Sequence, residues 1–347
     1  MSLPDPPPAR KLSRWGLYIP FILLGIGLAL WSGAWFWAQK QAALRMDAGV
    51  ADLARAGYPV TWKTRTINGY PFRMDITLTE VTASGPSGWS LRSPLVEGEA
   101  PMHALGHWLI ATPRGLTFVR PIGGPVTVNG KMMRGSLTNF DKRPPSISFE
   151  GVGLTFAPEA GAQPFALSAA DRVEFHLRAG PDDEGGVFAS VTNGKAALTG
   201  LFARIADGKP VSLVWNSTLS RISAFEGRDW PQAVQRWTQA GGKLTVRNAG
   251  VTAGEALIGA NGGTLTVDRT GRLAGALEVT LRQAPRALGA LGDSGVIPPD
   301  AALAAAMVAQ ARETPGVAAR ATITFQAGQT TLGPIAIGAS PKVYDAP

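Results

Sequence analysis

Residues 57–81 read GYPVTWKTRTINGYPFRMDITLTEV, and this stretch decides the fold class. Gly57-Tyr58-Pro59 recurs as Gly69-Tyr70-Pro71, and between the two copies VTWKTRTI alternates apolar and polar residues. Asn68-Gly69 is a tight-turn dipeptide, after which FRMDITLTEV alternates again. Two alternating runs flanking Asn-Gly predict a β-hairpin over residues 60–81 that turns at Asn68-Gly69. The period of two puts Phe72, Met74, Ile76 and Leu78 on one buried face, with Arg73, Asp75, Thr77 and Thr79 on the other. Pro71 has no N–H to give a ladder, so it belongs at a strand start or an edge.

The same grammar continues along the chain. WSLRSPLVEGE, GLTFVRP, PVTVNGKMMRGSLT, SISFEGVGLTFAP, RVEFHLRAG and PVSLVWNSTLSRI are short runs rich in Val, Leu, Thr and Phe, separated by Gly, Asn, Asp and Pro. Strands joined by short turns predict a curved antiparallel meander, mainly β, rather than βαβ units, which argues against a Rossmann-type cofactor fold. DWPQAVQRWTQAGG predicts a short helix, with Asp229 as N-cap, Pro231 in the first turn and Gly241-Gly242 as the stop. A second helical stretch is expected over roughly residues 285–313, where DAALAAAMVAQARE has high helix propensity. ATITFQAGQTTLGPIAIG closes the chain as a hairpin around Ala327-Gly328. The exported part is read as 57–228 and 229–347, residue 229 being the best candidate seam.

Upstream, WGLYIPFILLGIGLALWSGAWFWAQ, residues 15–39, carries no formal charge. A bilayer span needs about 20 apolar residues, so this segment crosses with margin. Trp15 and Tyr18 at one end, and Trp31, Trp35 and Trp37 at the other, are the aromatic anchors such a span places at the interfaces. The run exceeds a signal-peptide apolar region of about 7–15 residues, so the segment is expected to be retained, although Ser32-Gly33-Ala34 resembles a cleavage site. Gly25, Ala29 and Gly33 recur at four-residue spacing, most simply because glycine is common in membrane helices. Residues 1–14 form a short cytoplasmic tail in this reading, and 40–56 continue outward as a helical stalk. The chain is then a single-pass inner-membrane protein with its bulk in the periplasm.

Composition narrows the function. Charged residues make up 17% of the 347, against about 25% in an average globular chain. With no cysteine, disulfides, thiolate catalysis and cysteine-ligated metals are excluded. The net charge of +8 is dispersed, without the basic cluster a nucleic-acid binder carries, so nucleic acid is not an expected partner. Mild positive charge fits anionic lipid headgroups instead. His103 and His107 stand four apart, but HALGH holds no glutamate and His176 is remote, so no zinc site is expected. Asp182, Asp183 and Glu184 lack calcium-loop spacing and read as a solvated turn. Neither a nucleophile elbow nor a phosphate-cradling Gly-rich loop occurs, and the expectation is no cofactor, no metal and no catalytic residue.

Taken in order, the anchor, NGYPFRMDITLTEV, WSLRSPLVEGEAPMHALGHWLIATP, AGGKLTVRNAGV, GGTLTVDRTGRLAGALEVTL and LGPIAIGASP resemble a Gram-negative envelope family catalogued only as a domain of unknown function. The likeness covers essentially the whole chain. The architecture it implies is similar to anchored β-rich envelope proteins of the AsmA type, which implies a groove for acyl chains. Three functions are therefore in view. The first is binding or transport of membrane lipid or another apolar ligand. The second is a scaffold for other envelope proteins, and the third is a hydrolase assembled around the three histidines.

Overall fold

The computed structural model describes residues 15–140, 142, 144–196, 208–227, 229–253, 256–282, 298–312 and 319–344. Among these residues are three helices, two short 3-10 turns and one antiparallel sheet of 18 strands. Helix α1 runs Trp15–Arg55. Strands β1 to β6 follow: Val60–Thr61, Thr64–Asn68, Arg73–Ser84, Ser90–Pro101, His107–Ala111 and Leu116–Arg120. Strands β7 to β12 are Gly124–Asn129, Met132–Thr138, Ser146–Pro158, Leu167–Ala179, Glu184–Ala196 and Val211–Ser220. Helix α2 is Trp230–Gln239, and β13 to β15 are Leu244–Ala253, Ala256–Val267 and Leu273–Arg282. Helix α3, Pro299–Arg312, precedes β16 to β18, Ala319–Gln326, Gln329–Leu332 and Ile335–Ala339.

The strand pairings trace one meander. β1 and β2 share β3, and β3 pairs β4 over its full length. β4 then divides its edge between β5 and β6. Those two continue into β8 and β7, and both of these meet β9, which closes the fork. From β9 to β18 every strand pairs its sequence neighbour. The sheet runs without a break past residue 229, since β12 and β13 pair through nearly their whole lengths. Most consecutive strands are joined by short turns, which leave each strand no nearer partner than the previous one.

Several local expectations meet the structure directly. Asp229 caps α2, its carboxylate accepting the Gln232 N–H at 2.9 Å, and the helix ends before Gly241. The turn at Ala327-Gly328 has φ of 51° and 74°, the left-handed pair a tight hairpin requires. Of the stretch expected to be helical over 285–313, Pro299–Arg312 is helix, while 285–297 lie outside the described residues.

Two expectations change. The β2–β3 reversal is not centred on Asn68-Gly69: Asn68 pairs Asp75, which centres the hairpin between Pro71 and Phe72. Pro71 cannot donate to a ladder, so the reversal widens over Gly69–Phe72 and the Arg73 N–H closes it on the Gly69 carbonyl at 3.0 Å. The helix after residue 39 is not a free-standing stalk. α1 is continuous through Arg55, and Ala38, Ala42 and Met46 pack against β2 and β3, with Arg65 holding Asp47 at 2.6 Å. That hydrogen-bonded guanidinium keeps the Asp47 carboxyl below the ordinary aspartate range.

Candidate functional site

Partners facing each other across an antiparallel ladder lie on the same side of the sheet. Following them from β3 gives one row that crosses twelve strands: Ile76, Gly98, Ile110, Gly135, Phe149, Phe175, Ala189, Trp215, Ala249, Ala260, Val279 and Ala321. Every member is apolar or glycine. A second row on the same face runs from Trp108 through Leu137, Ile147, Leu177, Val187, Ser217 and Val246 to Gly263, Leu277, Ile323 and Leu332. Its one polar member, Ser217, is buried and accepts the Trp215 indole N–H at 2.8 Å.

Irregular positions keep the apolar face continuous. Gly153 has φ of 60°, and a Cβ on Gly151 would strike the Leu154 side chain at 2.7 Å. Residues 151 and 154 therefore look the same way despite their odd spacing, which is what a bulge does to the alternation. Asn193, with φ of 49°, acts alike: a Cβ on Gly194 would meet Leu167 and Val191. Val126, Val128 and Leu154 join this face, with Phe156 and Val173 packed on them.

The face is covered by helices at both ends; between them Val126, Val128, Met133 and Leu154 are also buried under Phe156 and Phe165, and the rest is only partly covered. At the first end α1 buries Met74 and Ile76, with Leu78, Met102 and Trp108 packed around them. At the other end Ala305 of α3 packs on Val246, Ala249, Ala260, Val279 and Leu332, while Val234 and Trp237 of α2 close on Val267 and Tyr344. Across β5 and β8–β12 Ile110, Leu137, Phe149, Leu177 and Val187 are only half-buried. Ile147, Phe175 and Leu213 remain 37%, 38% and 39% exposed. Six strands at about 4.8 Å spacing make this open strip roughly 24 Å wide.

The opposite face is polar along the same strands. One row there reads Thr77, Glu97, Ala111, Arg134, Glu150, Glu174, Ser190. Arg134 and Arg172 both reach Glu150 at 2.6 Å, Arg172 also reaches Glu174 at 3.0 Å, and the Ser190 hydroxyl donates to Glu174 at 3.0 Å. The hydrogen bond from Arg134, and then the charges of Arg134 and Arg172, hold the Glu150 carboxyl below the usual glutamate range. Further along, a cavity of about 770 Å³ has a mixed lining, with Ser212, Asn248, Asn261, Thr280 and Arg320 set among Val214, Leu257 and backbone at Gly250 and Gly259.

The residues singled out from the sequence divide. Met74 is fully buried and Ile76 nearly so, with Leu78 half-buried beside them. Phe72 departs from that face: it lies in the widened reversal before β3 and is 72% exposed. Trp15, Tyr18, Trp31 and Trp37 are exposed on α1, in keeping with contact to lipid. Trp35 differs from these four in being packed against the sheet. It is 3% exposed, its indole donates to the Arg73 carbonyl at 2.9 Å and its ring meets Tyr70 edge-on at 5.6 Å. The sheet occupies the side of the helix from which lipid would otherwise reach it.

His103 lies in a 3-10 turn and His107 begins β5, so the two never share a helical face. Among the described residues no group of three His, Asp or Glu side chains comes together to hold a metal. Asp182 and Asp183 form the left-handed β10–β11 turn, and Asp183 is engaged by the Ser223 N–H and hydroxyl, both at 2.8 Å. Sequence reading missed the two long rows. Alternation within Phe149–Leu177 or Val187–Trp215 was visible, but the pairings that align them were not.

A family model described as "Uncharacterized protein conserved in bacteria (DUF2125)" matches residues 35–341. The match begins at Trp35, the first residue of α1 that the sheet buries. No curated protein and no solved structure matches the chain.

Proposed function

We propose that this chain, which belongs to that family of uncharacterized bacterial proteins, is a non-enzymatic, membrane-anchored protein of the cell envelope that binds lipid or another apolar ligand along its open strip. In this reading α1, which is long and apolar enough to cross a membrane, anchors the chain with the sheet on the periplasmic side. The observation that carries the reading is the pair of cross-strand apolar rows, covered by helices at each end and only partly covered between. Apolar strips of this extent are unusual on a soluble surface and mark contact with lipid, ligand or partner. Because α1 packs directly on the first strands, the strip starts beside the bilayer, where its ligand is most abundant. Covering about 200–300 Å² of the strip is worth roughly 5–8 kcal/mol at 25 cal/mol per Å², enough to offset much of the cost of association. The AsmA-type architecture that the sequence resemblance implies adds only an analogy.

The test is native mass spectrometry of full-length protein extracted in mild detergent. Co-purified lipid is expected on the wild type, and Phe175→Asp, at an exposed site in the middle of the strip, should lose it while keeping its thermal transition. A wild-type protein that carries no lipid, or a Phe175→Asp variant that carries as much, refutes the proposal.

A further inference from the structure

The contact between α1 and the β2–β3 reversal fixes how deep that reversal sits. The Trp31 indole donates to the Pro71 carbonyl at 2.8 Å, and the Ser32 and Tyr70 hydroxyls are 2.8 Å apart. Both helix residues belong to the charge-free run that ends at Gln39. At 1.5 Å per residue Trp31 is about 24 Å along the axis from Trp15, within the thickness of a bilayer hydrocarbon core of about 30 Å. Whatever touches Trp31 and Ser32 shares their depth. Tyr70, Pro71 and Phe72 therefore reach the level at which the helix is still in lipid. The first cations above them are Lys40, two turns further along α1, and Arg73, paired with Asp75 at 3.0 Å.

Two further features suit that depth. Tyr70 and Phe72 are exposed, as are Phe36 and Trp37 of the adjoining helix, and the Phe36 and Tyr70 rings stack 6.0 Å apart. Backbone carbonyls in and beside the reversal are also taken up within the protein. Trp31 donates to Pro71 O, the Met102 N–H to Phe72 O, Trp35 to Arg73 O and Gln39 to Ile67 O, all within 2.9 Å. Irregular backbone at membrane depth requires such internal partners.

We propose that the β2–β3 reversal, Gly69–Phe72, is a second membrane-inserted element, dipping beside α1 into the outer half of the bilayer with Tyr70 and Phe72 facing lipid. The proposal needs α1 to span the bilayer but not the lipid-binding role of the strip. It makes the membrane contact two-pronged and fixes the tilt of the sheet, so that the apolar face begins at Met74 just above the lipid.

The absence of cysteine allows a direct test. Leu23→Cys, Phe72→Cys and Ile122→Cys, each labelled with an environment-sensitive fluorophore, are reconstituted as full-length protein in phosphatidylethanolamine–phosphatidylglycerol vesicles. A fraction of the lipid carries a nitroxide on the acyl chain near the headgroup. Ile122 is 83% exposed in the β6–β7 turn, beside the end of the β3–β4 pair opposite Arg73, and serves as the aqueous control, and Leu23, in mid-span, as the membrane control. The expected result is a blue-shifted label at position 72 quenched by the nitroxide lipid, with position 122 unquenched. A label at 72 that behaves like 122 while 23 reports lipid overturns the insertion alone. A label at 72 that is blue-shifted yet not quenched places the reversal against protein and overturns it too. A label at 23 that is solvent-like removes the span and the insertion together.

Discussion

Replacing Trp35 separates a helix that merely anchors from one that is built into the domain. Trp35 is 3% exposed, donates to the Arg73 carbonyl at 2.9 Å and meets the Tyr70 ring edge-on. Burying an aromatic of roughly 200 Å² contributes about 5 kcal/mol at 25 cal/mol per Å², an upper figure because unfolded chains already bury some surface. Trp→Ala truncations in cores cost about 3–5 kcal/mol, and the orphaned Arg73 carbonyl falls within that total. At about 2 °C per kcal/mol, suited to a large domain, Trp35→Ala should lower the melting temperature of the detergent-solubilised protein by roughly 6–10 °C. Trp37, two residues on and 64% exposed, gives the control: Trp37→Ala should stay within about 0.5 kcal/mol, or about 1 °C. The assay is thermal unfolding followed by far-ultraviolet circular dichroism, with hydrogen exchange on β3 as a local readout. Equal small shifts for both variants would refute the docking of α1 on β3 and return Trp35 to the membrane interface.

Two more outcomes follow from the sheet. Ile76→Asp puts an unpaired charge between Ala38 and Met74 and should cost more than the 2–5 kcal/mol of a buried truncation, while Thr77→Asn, one residue along on the polar face, should cost about 1 kcal/mol or less by chemical denaturation; similar values for the two would mean β3 does not present one buried face. Glu150 has its folded pKa lowered, first through the hydrogen bond from Arg134, so its contribution is complete above the ordinary glutamate pKa and is lost as pH falls through and below about 4. Glu150→Gln should accordingly flatten the stability profile below about pH 5 while leaving the shape near pH 7–8 unchanged, and an unaltered acid limb in a denaturation series would contradict the Arg134–Glu150–Arg172 cluster.

The sequence by itself determined most of what depends on near neighbours. The charge-free run 15–39 makes a helix that can cross a bilayer, because span length is a matter of consecutive apolar residues. Alternation in RMDITLTEV or RVEFHLRAG makes strands, Asp229 caps its helix, and Ala327-Gly328 turns a hairpin, since these depend on local dihedral and hydrogen-bonding preferences. Tertiary structure alone decided which side of α1 meets the sheet, and so that Trp35 is core while Trp31 and Trp37 are not. All three look alike in an aromatic-rich segment, and only packing separates them. It also decided the register that sets Phe149 opposite Phe175 and Ala189 opposite Trp215, and so joins separate alternations into unbroken rows. Bulges at Gly153 and Asn193 invert the alternation within a strand, so counting by twos along the sequence loses the face that cross-strand pairing restores. Phe72 shows the same limit at a turn: whether it joins Met74 in the core or stays exposed depends on where the ladder begins, which Pro71 displaces by refusing a hydrogen bond.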